Sequence, residues 1–409
     1  MLCGIFVFLK GSTDMLSEKM IGLGSHSSVI RQLFEYGKKR KSEIGEENVF
    51  DFSIGNPSVP APKAVNDTLA SLLESDKDIH CYTSAAGDMS VRAAIASYLN
   101  KTYGANEKAE RIYLTVGAAA ALTISLGALM CDGDEVIVFA PFFPEYRVFA
   151  EKAGAKVLVC PPPADFQIDF ETLETLISEN TKALIINSPS NPSGAVLTEE
   201  TLSKLGKLLD ERSQSYGHPI YVISDEPYRE LVYDGKKTPY TAKFIKNTIS
   251  CYSFSKSLSL PGERIGYICI CSECADGDNL FYGVCGAGRA LGYVCAPSLF
   301  QKMIPSVIGK TSDLSAYETN RELLYKGLTS LGFEAVYPDG AFYLFVKSPE
   351  PDEMQFCEKA KKYELLLVPS GDFGLGGYVR IAYCVSAKVI KDSMPAFEKL
   401  AKEYGLSKR

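Results

Sequence analysis

Short strand-like runs alternate with helix-like segments between about residues 110 and 270, and this alternation constrains the fold more than any other feature. Runs rich in β-branched residues that alternate with helix-period segments are typical of a parallel sheet wrapped by helices. The predicted strands are 112–116, 135–139, 156–160, 183–187, 221–225, 249–253 and 265–270, and the predicted helices include 118–130, 170–179 and 199–213. The sequence therefore predicts an α/β fold with a large domain, in which helices cover a mostly parallel seven-stranded sheet.

The pattern changes after about residue 300. A long helix is predicted over about 311–331, and short strands at 334–337, 341–346, 365–368 and 378–382 precede a final helix at 387–403. This mixture predicts a smaller α+β domain. The first 60 residues have no sheet of their own, so we expect them to pack with that domain, which is then made from both chain termini. The predicted division is 1–60 for the N-terminal segment, 61–305 for the large domain and 306–409 for the small domain.

Composition and charge exclude several classes of function. The chain has 409 residues, with 43 Lys and Arg against 50 Asp and Glu, a net charge of −7 and a pI of about 5.3. An acidic balance without a basic block argues against a nucleic-acid partner or an anionic membrane surface. Twelve cysteines at irregular spacings favour reduced thiols rather than a disulfide framework. We therefore expect a soluble, cytoplasmic protein.

Three further patterns carry no function. The apolar stretch 1–9 lacks a basic flank and is too short to span a bilayer, and both Met1 and Met15 stay open as the start of translation. Cys269, Cys271 and Cys274 are interpreted as buried free thiols rather than a metal site, because no second Cys or His cluster accompanies them. The three histidines lie outside any nucleophile-elbow motif, which argues against a Ser-His-Asp hydrolase.

Polar residues follow the predicted strands, where an open parallel sheet binds its ligands. Small residues at 117–120 open a helix whose N–H groups can bind a phosphate, although helix propensity alone also explains them. Asn191 lies in a proline-rich turn, for which turn chemistry is an alternative. Asp225 ends a buried strand, which implies a cation nearby. Lys256 and Arg264 follow the next strand, where a solvated lysine is the plain alternative.

These features are more informative together than singly, because they fall on successive strand ends of one predicted sheet. They combine an anion site, an amide, a carboxylate, a lysine and an arginine. Pyridoxal 5′-phosphate requires such a set, with a lysine for the Schiff base, an acid at the pyridine nitrogen and donors to the phosphate. The sequence therefore predicts pyridoxal phosphate as the cofactor, and no metal.

Seven short motifs, in order along the chain, carry a resemblance to a known family. They are 52–57 (FSIGNP), 82–87 (YTSAAG), 191–194 (NPSG), 224–228 (SDEPY), 253–256 (SFSK), 340–343 (GAFY) and 379–382 (VRIA). The sequence resembles the class I/II aminotransferases, the aspartate-aminotransferase-like group of fold-type I pyridoxal-phosphate-dependent enzymes. The likeness extends from about residue 52 to the C-terminus.

The resemblance implies three catalytic residues. It implies that Lys256 forms the Schiff base with the cofactor and then, as a free amine, moves a proton between substrate and cofactor. Asp225 is implied to keep the pyridine nitrogen protonated, and Tyr228, with Asn191, to hydrogen-bond the ring's 3-oxygen. Since the amine must lose its proton, we expect burial and cationic neighbours to lower the pKa of Lys256.

The resemblance also implies the binding residues. Phe143 stacks on the cofactor ring, and Arg380 clamps the substrate α-carboxylate, with Gly55 and Asn191 close by. Tyr82 is implied to reach the phosphate of a neighbouring subunit, so the expected active unit is a homodimer with shared active sites. One departure from the family pattern is the run of alanines that starts at 118, where relatives often carry a hydroxyl or a lysine. The implied phosphate donors are Gly117, Ala118, Ala119, Ser253, Ser255 and Arg264.

The expected reaction is transfer of an amino group from an L-amino acid to a 2-oxo acid. Aspartate with 2-oxoglutarate is the predicted pair, for which Arg289 or Arg147 is the candidate partner of the side-chain carboxylate. A β-elimination lyase or a decarboxylase on the same fold and cofactor stays open as an alternative. A non-catalytic ligand-binding module is disfavoured, because the 51 residues before the first motif are not markedly basic and contain no helix-turn-helix pattern.

Overall fold

The computed structural model describes residues 16–25 and 28–406. Residues 1–15, which include the apolar stretch 1–9 and Met15, lie outside the described ranges. The helices are α1 Glu18–Ser25, α2 Val29–Ile44, α3 Lys63–Ser75, α4 Met89–Tyr103, α5 Ala118–Leu129, α6 Glu145–Lys152, α7 Phe170–Leu176, α8 Glu199–Tyr216, α9 Phe254–Ser257, α10 Gly277–Leu291, α11 Ser298–Val307, α12 Ser315–Ser330, α13 Glu353–Lys361 and α14 Ala387–Glu403. The strands are β1 Phe50–Asp51, β2 Ile112–Thr115, β3 Glu135–Phe139, β4 Lys156–Cys160, β5 Thr181–Asn187, β6 Tyr221–Asp225, β7 Thr248–Ser253, β8 Gly266–Ile270, β9 Ala335–Val336, β10 Tyr343–Lys347, β11 Leu365–Leu366, β12 Val368–Pro369 and β13 Tyr378–Ala382.

The central sheet has seven strands in the order β2-β8-β7-β6-β5-β3-β4. Strand β8 runs antiparallel to both of its neighbours, and the other pairings are parallel. Consecutive residues of β6, such as Val222 and Ile223, are both fully buried, as expected for a sheet with both faces covered. The predicted mostly parallel seven-stranded sheet is thus confirmed, and so is the α/β fold.

The register of the sheet brings polar residues together at one edge. Asn187 at the end of β5 pairs with Asp225 at the end of β6, and Asp225 pairs with Cys251 in β7. Helix α5 begins at this edge and packs against the sheet through its buried apolar residues, including Ala121 and Ile124. The carboxyl ends of the central strands therefore form one wall of a common site.

A second group of strands lies outside the central sheet. Four strands form an antiparallel sheet in the order β12-β13-β10-β9, and β1 pairs with β11 in parallel. Phe52, just after β1, joins the same hydrophobic core as Phe342 and Phe397. The N-terminal strand therefore packs with elements from the C-terminal part of the chain. The division at residues 60 and 305 stays a prediction.

The bounds of several elements differ from the sequence-based expectation, and two of the differences have a clear local reason. The predicted strand 365–368 is split into β11 and β12, because its first half pairs with β1 and its second half with β13. The predicted helix from 311 begins only at Ser315, since the Asp313 carboxylate accepts hydrogen bonds from the backbone N–H and hydroxyl of Ser315. Side-chain bonds of this kind favour a turn over helix at such positions.

Helix α8 begins where it was predicted. The Thr198 hydroxyl accepts a hydrogen bond from the backbone N–H of Thr201, and Glu199 and Glu200 occupy the first turn. This hydroxyl cap satisfies an N–H that has no partner inside the helix, and the two carboxylates favour the positive end of the helix dipole. Among residues 16–25 and 28–406, no helix is long and apolar enough to cross a membrane.

Candidate active site

A cavity of about 300 Å³ opens at the carboxyl ends of β5, β6 and β7. Its walls come from these strand ends, the start of α5, the N-terminal segment and the antiparallel sheet. The structure thus brings together residues that are far apart in the chain. The predicted site residues that line it are Gly55, Ala118, Ala119, Phe143, Asn191, Asp225, Tyr228, Ser253, Ser255, Lys256, Arg264 and Arg380.

Asp225 ends strand β6 at the base of this cavity. Its Oδ2 accepts a hydrogen bond of 2.6 Å from the hydroxyl of Tyr146, while its Oδ1 is buried and has no hydrogen-bond partner among the described residues. Burial raises the pKa of Asp225 to about 7, although the hydrogen bond from Tyr146 opposes the rise. The sequence implied a cation beside this carboxylate, but the partner that the structure shows is a neutral phenol.

Lys256 lies in α9, a single helical turn that follows β7. Its Nζ donates a hydrogen bond of 2.6 Å to the backbone carbonyl of Gly55. Burial, with smaller contributions from the positive charges of Arg380 and Arg264, lowers the pKa of Lys256 to about 8. The lysine therefore carries a substantial fraction of neutral amine near physiological pH, as the sequence predicted.

One end of the cavity is suited to an anion. Helix α5 begins there with Ala118, and its first N–H groups have no partner within the helix. Arg264 lies against Gly117, where an added Cβ would approach the guanidinium Nη2 to 2.8 Å. Gly117 does not line the cavity, but it is the residue that lets Arg264 approach the start of the helix. The hydroxyl-bearing residues Ser253 and Ser255 lie at the same cavity.

Another part of the cavity wall is formed around Arg380, which is almost fully buried in β13. Its Nη1 donates to Asn191 Oδ1 at 3.1 Å, and its Nη2 donates to the carbonyl of Ser53 at 2.5 Å. Its Nε is buried and has no hydrogen-bond partner within the described part of the chain. The guanidinium Cζ lies 4.6 Å from the centre of the Tyr343 ring. The guanidinium is therefore held in place while part of its donor capacity stays available.

Comparison with known proteins shows the family. A model of class I and II aminotransferases matches residues 47–394 of the chain. The protein belongs to the class I/II aminotransferase family. Members of this family are transaminases that use pyridoxal phosphate.

Several relatives and solved structures are similar to this aminotransferase over nearly its whole length. A crystal structure of an aminotransferase from Eubacterium rectale is 56% identical, has a TM-score of 0.93 and covers 95% of this chain and 99% of its own. Aromatic-amino-acid aminotransferase 2 of Thermococcus litoralis is 29% identical over 92% of this chain and 96% of its own length. The structure of aspartate aminotransferase from Thermus thermophilus with maleate is 25% identical, with a TM-score of 0.83, and covers 94% of this chain and 99% of its own.

Besides Gly117, three residues named as candidates from the sequence do not line the cavity of this aminotransferase chain. Tyr82 is 97% exposed, and its predicted contact was with a neighbouring subunit. Arg289 lies in the last turn of α10 and is exposed, and Arg147 lies over the ring of Phe142 at 5.9 Å. The structure therefore does not place either arginine in the wall of the cavity within one chain.

Several residues in or beside the site were not predicted from the sequence, and four of them are informative. Tyr146 in α6 contacts Asp225 but follows no strand, so reading strand ends could not find it. Asn187 ends β5 and donates to the backbone carbonyl of Asp225 at 2.8 Å, which attention to the last strand residue would have found. Tyr343 belongs to a quoted motif, but its side-chain partners were not apparent. Ile30 comes from α2, and no sequence signal connected it with the site.

Proposed function

We propose that this aminotransferase holds pyridoxal phosphate in the cavity and transfers the amino group of an L-amino acid to a 2-oxo acid. One observation carries the proposal: the buried Asp225 Oδ1 has no hydrogen-bond partner within residues 16–25 and 28–406. It shares a cavity with the amine of Lys256, whose lowered pKa lets it lose its proton. An unpartnered buried carboxylate oxygen is costly unless a ligand donates to it. A protonated pyridine nitrogen is such a donor.

The remaining donors fit the rest of this cofactor. The start of α5, Ser253, Ser255 and Arg264 would hold its phosphate, and the ring of Phe143 would lie against its own ring. Tyr228 and Asn191 would donate to its ring oxygen. When bound, pyridoxal phosphate supplies an electron sink for the electron pair left at the substrate α-carbon.

In this proposal Lys256 is the group that moves the proton. With a pKa of about 8, the side chain is about one-tenth neutral at pH 7 and can accept a proton from the substrate α-carbon. Asp225 stays ionised opposite the cationic ring nitrogen, because an opposite charge at hydrogen-bond distance lowers the pKa of a carboxyl. The two groups thus act at opposite ends of the cofactor.

Arg380 would bind the α-carboxylate that every amino-acid substrate carries. Its planar guanidinium is suited to a bidentate bond with a carboxylate, which lysine does not make. Replacement of Arg380 by lysine should therefore raise KM for all amino-acid substrates by about tenfold or more. Steady-state kinetics with several donors measures this, and unchanged KM values would refute the assignment.

The proposed donor is aspartate, which the names of several relatives support, with 2-oxoglutarate as acceptor. Within the described chain, the cations that line the cavity are Lys256, Arg264 and Arg380, and each already has a proposed role. An aspartate side chain therefore requires a cation from a second copy, for which the exposed Arg289 is our candidate. In such a homodimer Tyr82 would reach the partner's phosphate site.

A neutral donor is the second candidate, and a different observation favours it. Apolar side chains line part of the cavity, among them Ile30, Ile54 and Leu122. An aromatic or aliphatic amino acid would bury its side chain there without a further cation. If aspartate is the donor, Arg289→Ala should raise KM for aspartate and leave KM for phenylalanine unchanged. Equal changes in KM for both donors would show that Arg289 does not bind the aspartate side chain.

The experiment that tests the reaction uses the purified full chain loaded with pyridoxal phosphate. Single amino acids are added without any oxo acid, and the visible absorbance band of bound cofactor is followed. Loss of the band, with recovery on adding a 2-oxo acid, is the result expected of a transaminase. A persistent band with release of ammonia, pyruvate or carbon dioxide would instead indicate a lyase or decarboxylase. A band that survives unchanged in Lys256→Ala would refute the proposed role of the lysine.

A further inference from the structure

We propose that Tyr343 is a positioning residue that orients two groups of the site at once, the hydroxyl of Tyr228 and the guanidinium of Arg380. The inference rests on the proposed function, in which Tyr228 faces the cofactor ring oxygen and Arg380 faces the substrate carboxylate. Tyr343 would touch neither reacting atom, but it lies directly between the two residues that contact the ligands.

The hydroxyl of Tyr343 contacts the hydroxyl of Tyr228. The two Oη atoms lie 2.9 Å apart, and both side chains are almost fully buried. Within the described residues, the structure shows no other hydrogen bond for either hydroxyl. Burial raises the pKa of Tyr343 to about 12 and raises the pKa of Tyr228 well above its usual range, so both phenols stay protonated at neutral pH.

Either phenol can donate in this bond, so a ligand in the cavity can determine its direction. Each phenol has one proton to donate and lone pairs to accept. If Tyr343 donates to Tyr228, the proton of Tyr228 is free to be donated into the cavity. Hydrogen bonds in such a chain strengthen one another, so Tyr228 becomes a better donor when Tyr343 donates to it. A ligand oxygen in front of Tyr228 therefore selects this direction.

The ring of Tyr343 contacts Arg380. The guanidinium Cζ lies 4.6 Å from the ring centre, which is within the range of a cation–π interaction. Strand pairing places the two side chains as diagonal neighbours, since Tyr343 pairs with Ala382 and Phe345 pairs with Arg380. The ring thus limits the positions of a guanidinium that must receive a carboxylate.

Gly55 lies where no side chain can fit. A Cβ at this position would lie 2.0 Å from Tyr343 Oη and 2.8 Å from its Cζ. The carbonyl of Gly55 accepts the hydrogen bond from Lys256 Nζ. The hydroxyl of Tyr343 is therefore packed against the segment that holds the lysine, which leaves the phenol little freedom to move.

Two substitutions separate the two contacts. Tyr343→Phe removes the hydroxyl and keeps the ring, whereas Tyr343→Leu removes both. Tyr383→Phe is the matched control, because Tyr383 is also a fully buried phenol, bonds the carbonyl of Ala341 at 3.2 Å and does not line the cavity. Each protein is loaded with pyridoxal phosphate, its visible band is titrated with pH, and KM is measured for two amino acids.

We expect Tyr343→Phe to move the titration midpoint upward by about 0.5 pH unit with KM within about twofold of the wild type. A weaker donor at Tyr228 leaves more negative charge on the cofactor ring oxygen. The neighbouring proton, on the Lys256 nitrogen that is bonded to the cofactor, is therefore held to higher pH. Tyr343→Leu should show the same shift and also raise KM for both amino acids by about fivefold to tenfold. Tyr383→Phe should change neither quantity.

An unchanged midpoint in Tyr343→Phe, or an equal shift in the Tyr383→Phe control, would overturn the inference. Unchanged KM values in Tyr343→Leu would overturn its Arg380 part. If the wild-type protein shows no visible band or no amino transfer, the proposed function fails instead. Thermal unfolding of each variant without cofactor checks that the proteins are folded.

Discussion

The hydrogen bond from Tyr146 to Asp225 gives the sharpest test of the proposed site. Replacement of Tyr146 by phenylalanine removes one hydroxyl and keeps the ring, which packs edge-on against Phe143 at 5.7 Å between ring centres. The variant therefore leaves the platform for the cofactor in place. It changes the electrostatics of Asp225, whose Oδ2 has this 2.6 Å hydrogen bond from Tyr146.

The size of the effect follows from the stabilisation of the charged carboxylate. A hydrogen bond to a charged group contributes about 1.5–3 kcal/mol, and 1.36 kcal/mol corresponds to one pH unit. Loss of the bond should raise the pKa of Asp225 from about 7 by about 1–2 pH units in the protein without cofactor. At pH 7.5 the ionised fraction would fall from about three-quarters to about one-tenth for a rise of 1.5.

The assay is the affinity for pyridoxal phosphate, measured from its visible band across a pH series. We expect the Kd of Tyr146→Phe to exceed that of the wild type by about 8-fold at pH 7.5. The ratio of the two Kd values should fall towards one above about pH 9, where Asp225 is mostly ionised in both proteins. Tyr113→Phe is the control, because this buried phenol bonds the carbonyl of Tyr293 at 2.9 Å, away from the cavity. A ratio that does not vary with pH, or that the control reproduces, would refute the reasoning.

Three other predictions concern the site and its support. Gly55→Ala places a Cβ 2.0 Å from Tyr343 Oη and should lower kcat/KM by at least about tenfold, whereas Gly286→Ala, with no atom within 4 Å of the added Cβ, should have no effect. Burial raises the pKa of Asp225 from its usual 3.8 to about 7, so its contribution to the stability of the cofactor-free protein is present below about pH 4 and is lost as pH rises through about 7. Asp225→Asn should therefore gain stability relative to wild type as pH rises over this range in chemical unfolding, and a constant difference would contradict the prediction. Arg321→Met should lower the free energy of unfolding by about 2 kcal/mol, because this buried guanidinium donates two 2.9 Å bonds to Asp234 and stacks between Tyr233 and Tyr337. Arg212→Met, at a partly exposed arginine that is paired with Glu174, should lower it by less than about 0.5 kcal/mol, and equal losses would argue against this role for Arg321.

The central sheet could be predicted because its strands are recognisable locally. All seven expected strands form, since β-branched runs such as those of β5 and β6 are buried on both faces. The ends of such strands meet at one edge of a parallel sheet, so Asp225, Lys256 and Asn191 could be expected to converge. Most of the predicted site residues do line one cavity, as expected. Their chemical roles stay predictions.

The antiparallel sheet was predicted less well, because its strands are short and their partners lie far apart in the chain. Residues 365–368 are uniformly apolar, so nothing local indicates that β11 pairs with β1 while β12 pairs with β13. Similarly, the phenol beside Asp225 comes from Tyr146, 79 residues earlier and on a helix. Such contacts depend on the three-dimensional path of the chain rather than on a local period.

The sequence by itself determined the α/β class, the strand ends that carry polar side chains, and the family, because periodicity and motif order are properties of the chain. Only the tertiary structure decided which groups are paired and which are left without partners. Burial sets the pKa values of Asp225 and Lys256, and burial depends on packing from every side. The Tyr228–Tyr343 contact likewise exists because β10 and the end of β6 meet across the cavity.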